Sequence, residues 1–177
     1  MIFIETKLPG AFLIEPEPVT DQRGSFARVF CREEFETRGL NSNVVQCSFS
    51  LNLKKGTLRG MHYQTEPFKE AKLVRCTRGS IYDVIIDLRP ESPAFKQWVA
   101  TELSAANHRM LYIPEGFAHG FLTLEDHCEV FYQMSEFYHP ECARGVRWDD
   151  PAFGIGWPET GEPIVSLRDQ QFADFKP

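Results

Sequence analysis

Short runs of alternating apolar and polar residues, each closed by a turn former, constrain this chain more than anything else in its sequence. The clearest is SIYDVIIDLR, bounded by Gly79 and Pro90. A two-residue period sets Tyr82, Val84, Ile86 and Leu88 on one face, and Ile81, Asp83, Ile85 and Asp87 on the other. Two carboxylates among aliphatics on one face suit a barrel whose interior is partly polar. KLVRCTRG, QWVATELS, RMLYIP, GFLTL and CEVFYQM are further strand candidates, with Gly, Pro, Asn or Asp between most of them. Helical signal is confined to CREEFETRGL, ending on Gly39 as a C-cap, and to LRDQQFADF near the end. The stretch WDDPAFGIGWPETGEP reads as an irregular segment packed by its tryptophans onto the barrel. There is no repeat, low-complexity tract or linker. Residues 1–177 are therefore expected to form a single all-β domain, a sandwich or barrel with the jelly roll foremost, carrying a few short helices.

At 177 residues with 15 Phe, the chain can bury a substantial core. Its net charge of −6 argues against general affinity for nucleic acid or an anionic membrane surface, while leaving room for a local basic pocket. Cys31, Cys47, Cys76, Cys128 and Cys142 are scattered and form no C-x-x-C, which fits free thiols in a reducing cytoplasm. The apolar pieces of MIFIETKLPGAFLIEPEP are broken by Glu5, Lys7, Pro9 and Glu15. They make neither a signal-peptide core nor a membrane span. A cytoplasmic protein is the expectation.

Chemistry-bearing residues fall in a few blocks. In LRGMHYQ, read as a strand, His62 shares a face with Gly60 and Gln64, while Arg59, Met61 and Tyr63 point the other way. An imidazole there is a candidate proton acceptor near neutral pH, although a lone histidine is more often packed or merely hydrogen-bonded. Lys72 opens an apolar strand and is either a snorkelling rim residue or a cation for a developing oxyanion. Asp83, on the next strand, is its expected charge partner. His119, between Phe117 and Phe121 on one strand face, looks packed in a core. Tyr132 shares a face with Val130 and Met134, with Tyr138 beyond, and reads as packing or as a proton donor. Asp169 in SLRDQ reads as a helix cap or as the carboxylate that orients a histidine.

Taken in order, DQRGSF, GTLRGMHYQ, EAKLVRCTRGSIYDVIIDLRPESP, LYIPEGFAHGF, EVFYQMSEFY, RWDDP, GWP and SLRD span Asp21 to Asp169. This series resembles the dTDP-4-dehydrorhamnose 3,5-epimerase family of cupin-type nucleotide-sugar epimerases. The resemblance implies a cupin jelly roll and an isomerase that inverts C3, C5 or both in a nucleotide-linked 4-keto-6-deoxyhexose. Metal-binding cupins carry H-x-H, a glutamate and a later histidine. This chain has His62-Tyr63-Gln64, with Lys72 in the region of the glutamate, and only His119 resembles the remaining ligand. A site of two imidazoles and an ammonium would hold a divalent ion poorly. The resemblance thus implies no metal and no cofactor, because the sugar's own ketone is the electron sink.

By the same resemblance His62 is the base, Asp169 its orienting carboxylate, Lys72 the cation at the keto oxygen and Tyr132 the acid. Arg23, Phe26, Gln46, Arg59, His119, Tyr138 and Arg168 are the implied substrate contacts. A homodimer is implied too, with an N-terminal segment contributing to the partner's sheet and nucleotide pocket. The chain departs from better-known members at Arg28, where they have Glu, at Cys47-Ser48, where they have Asp-Asn, near Ala143, where they carry a Glu, and at Arg168, where they have Lys. One residue is also inserted between Gln46 and Gly56. Several of these positions lie around the nucleotide end. The alternative is therefore a keto-isomerase or single-site epimerase acting on a GDP- or CDP-linked keto sugar.

Overall fold

The computed structural model describes residues 1–176. Its strands are β1 (Ile2–Glu5), β2 (Phe12–Glu15), β3 (Val19–Asp21), β4 (Gly24–Phe26), β5 (Gln46–Asn52), β6 (Thr57–Gln64), β7 (Lys72–Arg78), β8 (Ser80–Asp87), β9 (Trp98–Ser104), β10 (Met110–Ile113), β11 (Phe117–Thr123), β12 (Cys128–Met134), β13 (Ala143–Gly145) and β14 (Ile164–Val165). Two short helices are α1 (Arg32–Glu36) and α2 (Leu167–Gln170). One sheet runs β1-β2-β10-β7-β12-β5 and the other β13-β6-β11-β8-β9, with β14 lying parallel to β6. Among the described residues the β3–β4 hairpin pairs only with itself. This is the cupin-type jelly roll.

Alternation explains the layers. The inward faces of both sheets meet in one core built from Val74, Leu111 and Val130 on the first sheet and Ile81, Ile85, Leu103 and Phe121 on the second. Each such fully buried aliphatic or aromatic side chain stabilises the fold by about 1.5–3 kcal/mol. The outward face of the first sheet is covered around β2, β10 and β7, where Phe35 of α1 packs over Leu73, Met110 and Tyr112. The outward face of the second sheet carries Met61, Val84, Ile86 and Ala118, and Phe153 and Trp157 of the tail cover it. That covering is why β8 is apolar on both faces.

The helix expected to end at Gly39 does so in outline. α1 closes through a turn in which Gly39 takes φ +69° and its N–H donates to the Glu36 carbonyl. The second helix is one turn only, shorter than its sequence suggested, because the chain leaves it at Gln171. The N-terminal segment enters its own sheet, with β1 pairing antiparallel to β2. Strands β1 to β5, β13 and β14 were not foreseen from the sequence. No helix among the described residues is long and apolar enough to cross a membrane.

Candidate active site

One end of the barrel opens into a cavity of about 360 Å3. Gln46 and Ser48 of β5, Lys72 of β7 and Tyr132 of β12 line it from the first sheet, and His62 of β6 lines it from the second. Tyr138, Arg144 and Arg168 complete its rim.

His62 is held from behind. Its Nε2 lies 2.8 Å from Asp169 Oδ1, and the Gly60 N–H donates to Asp169 Oδ2 at 3.1 Å. The His62 side chain is 42% exposed while that of Asp169 is 5% exposed, so the carboxylate is the buried member of the pair. Burial alone would raise the Asp169 pKa, but the His62 ring, the Gly60 N–H and the Ser166 hydroxyl together hold it below the ordinary 3.8. With the carboxylate ionised, Nε2–H donates to it and Nδ1 becomes the ring's free acceptor. Asp169 is not the cap of its helix. Ser166 is, and its hydroxyl accepts from the Asp169 N–H at 3.1 Å.

A second histidine faces the first across the sheet. His119 is the register partner of His62, and its buried Nε2 lies 2.8 Å from Oδ1 of the fully buried Asp83. Asp83 Oδ2 has no hydrogen-bond partner among the described residues. The expected pairing of Asp83 with Lys72 does not occur. Asp83 sits on β8 beside β11 and reaches His119 on that neighbouring strand, whereas Lys72 lies in the other sheet and pairs with Glu70 at 3.0 Å. His119 is thus buried as expected, but as a polar pair at the end of the core.

Strict alternation separates Arg59 from His62, and the structure corrects this. The β6–β11 pairing shifts register so that His62 opposes His119 while Arg59 opposes Phe121. Both residues therefore lie against inward-facing positions. The strands approach closely at this bulge. A Cβ on Gly60, at φ +128°, would stand 2.6 Å from Gly120 Cα and 2.8 Å from the His119 carbonyl oxygen. Arg59 Nε donates to Asn52 Oδ1 at 2.7 Å.

Tyr132 reaches the cavity from the first sheet. Its ring packs edge-on to that of His119 at 6.2 Å, and its hydroxyl is 3.3 Å from Ser50 Oγ. Burial raises its pKa above the ordinary tyrosine value of 10.0, so the phenol keeps its proton at neutral pH. The arrangement can accept a proton on one side of the cavity, hold negative charge beside Lys72, and return a proton from the other side.

Of the residues singled out in the sequence, His62, Lys72, Tyr132, Gln46, Tyr138 and Arg168 line the cavity. Asp169, His119 and Arg59 support it from behind through the contacts given above. Arg23 and Phe26 are not brought there within this chain. They lie on the β3–β4 hairpin with the Arg23 side chain 85% exposed and Phe26 80% exposed, and Arg23 is paired with Asp21. Sequence reasoning missed the roles of Ser50, Asn52 and Arg144. The first two had a signal: β5 reads Gln46, Ser48, Ser50 and Asn52 on its inward face and Cys47, Phe49 and Leu51 on its outward one, an inversion of the usual pattern.

A model of the family described as dTDP-4-dehydrorhamnose 3,5-epimerase matches residues 5–177. The chain belongs to that family. It is 46% identical to the dTDP-4-dehydrorhamnose 3,5-epimerase of Methanothermobacter thermautotrophicus over 98% of this chain and 94% of that protein. Among solved structures it is similar to the epimerase of Bacillus anthracis with TDP and PPi bound, at 42% identity and a TM-score of 0.94, covering 98% of this chain and 99% of that one. It is also similar to the enzyme of Legionella pneumophila in complex with dTDP-4-keto-L-rhamnose, at 37% identity and a TM-score of 0.90, covering 96% and 89%. Family membership makes this chain an isomerase of the epimerase type. Ser48, Ala143 and Arg168 line the cavity, Cys47 is exposed, and Arg28 pairs with Glu34 at 3.1 Å.

Proposed function

We propose that this epimerase inverts C3 and C5 of a dTDP-linked 4-keto-6-deoxyhexose. The observation that carries the reading is that His62 and Tyr132 line one cavity from opposite sheets. Nδ1 of His62 takes a proton from a carbon beside the C4 ketone, and the C–H electron pair moves into an enolate. The enolate oxygen is held by Lys72, whose ammonium is oriented by Glu70, with His119 adjoining from behind. Tyr132 then delivers its proton to the other face of that carbon, which inverts it. His62 loses its proton to water and Tyr132 regains one, so no other reactant is consumed.

Arg168 and Arg144 at the rim suit a diphosphate, since guanidinium forks match phosphate oxygens. The same reading makes the protein a homodimer, in which Arg23 and Phe26 of the exposed hairpin reach the nucleotide in the partner's cavity. The outward-facing Phe49 and Leu51 of β5, both exposed in the single chain, support a second copy covering that face. The five free thiols support a reducing, cytoplasmic setting.

Incubation with dTDP-4-keto-6-deoxyglucose in D2O, followed by proton NMR, tests the reading. Loss of both the C3 and C5 signals with formation of the inverted sugar is expected. Loss of one signal makes the enzyme single-site. Exchange only with GDP- or CDP-linked keto sugars overturns the choice of nucleotide, and exchange with none of them overturns the reaction.

A further inference from the structure

Donating a proton leaves a phenolate in a site where burial disfavours it. Something must hold that charge until the phenol is restored. We propose that Ser50 is a positioning residue for Tyr132, fixing its hydroxyl oxygen and donating to it when it is ionised. The inference rests on the reading of Tyr132 as the proton donor.

The geometry is a short chain of donors. Arg59 Nε donates to Asn52 Oδ1 at 2.7 Å. Nδ2 of the buried Asn52 in turn donates to Ser50 Oγ at 3.4 Å, and the Ser50 oxygen lies 3.3 Å from the Tyr132 hydroxyl. A serine oxygen has one proton to give and two acceptor positions. Asn52 occupies one acceptor position. While Tyr132 is neutral, its O–H can fill the other. Once Tyr132 has lost its proton, the Ser50 O–H turns to the phenolate. The same serine thus serves both protonation states without moving. The chain begins at a guanidinium, so each successive donor is polarised toward the phenol oxygen. The two Nδ2 protons of Asn52 are shared among Ser50 Oγ and the carbonyls of Ser50 and Cys128, the latter two at 3.3 Å, so the Cys128 carbonyl anchors the amide apart from Ser50. The inverted polarity of β5, with serines inward and Phe49 outward, is what brings Ser50 to this face.

The test measures two rates in D2O on the dTDP-linked keto sugar: exchange of substrate C–H with solvent, and formation of inverted product. Ser50→Ala is expected to slow inversion about tenfold to a hundredfold while exchange stays within about twofold of wild type. Ser50→Thr, which keeps the hydroxyl, is expected to restore most of the inversion. In a Tyr132→Phe background, Ser50→Ala should add no further loss. Ser50→Cys, a weak donor of similar size, gives the same contrast if the alanine variant unfolds. Equal slowing of exchange and inversion, no rescue by threonine, or an added loss in the Tyr132→Phe background overturns the proposal. If Tyr132→Phe loses inversion while Ser50→Ala keeps it, the inference alone fails. If Tyr132→Phe inverts at the wild-type rate, the donor reading fails first and takes the inference with it.

Discussion

His62 has one ring nitrogen committed to Asp169, and the buried carboxylate fixes which nitrogen is left to accept a proton. Replacing Asp169 by Asn removes the charge and permits the wrong tautomer, so proton exchange should fall by about 10²–10⁴-fold. Binding of dTDP, measured by calorimetry, should change little. A variant that exchanges protons near the wild-type rate would remove Asp169 from the mechanism. At this scale the sequence was legible where a motif brackets the residue. His62, Lys72 and Tyr132 stand in recognisable blocks and all reach the cavity. The pairing of His62 with Asp169 was implied by the resemblance and is present, but residue patterning did not give the partner of Asp83. Asp83 lies on the strand that follows Lys72 in sequence but beside the strand of His119 in space, and only the β8–β11 pairing decides between them. Asp169 looked like a cap because Ser166, three residues earlier, offers the same chemistry.

Elements carry the site through one irregularity, the bulge where β6 meets β11. It turns Arg59 and His62 toward the same side, and it exists because Gly60 and Gly120 let two backbones touch. Gly60→Ala would set a methyl group against backbone atoms at a positive φ, for a combined cost on the order of 3 kcal/mol. The thermal midpoint should drop by several degrees, and activity should fall further than folding alone explains because His62 is displaced with it. An alanine variant with wild-type stability and rate would mean that the approach is looser than described. Long strands such as β8 and β12 were legible from period and flanking turns. The short ones, two to four residues in β1–β4, β13 and β14, contain too few positions for a period to show. β5 escaped because its polarity is inverted.

The molecule is built on two main sheets whose inner faces meet, while α1 covers the middle of one outer face and the tail covers the other. Buried titratable groups then set its pH limits. Arg89 and Ser92 overcome burial to hold Asp87 below 3.8, as His62 and Gly60 do for Asp169. These carboxylates stay charged in the folded chain where the unfolded chain would protonate them. Their stabilisation is present above about pH 4 and is lost as the pH falls below it. Burial pushes the Cys76 thiol from 9.0 up to about 12. It also raises Tyr112 and Tyr132 above 10.0, so the folded chain keeps protons that the unfolded chain releases. That stabilisation is complete below pH 9 and disappears as the pH rises through 12. Denaturant midpoints should form a plateau between about pH 4 and 9 and fall on both sides. A midpoint that keeps climbing above pH 10 would contradict the burial described.

The central claim is that proton removal and proton return belong to opposite walls of one cavity. His62→Ala and Tyr132→Phe, compared in D2O with the dTDP-linked keto sugar, test it most directly. His62→Ala is expected to lose exchange and inversion together while still binding dTDP. Tyr132→Phe is expected to continue exchanging substrate protons while inversion falls by about a hundredfold. Equal losses of both rates in the two variants would contradict it, because one wall would then be doing the work of both.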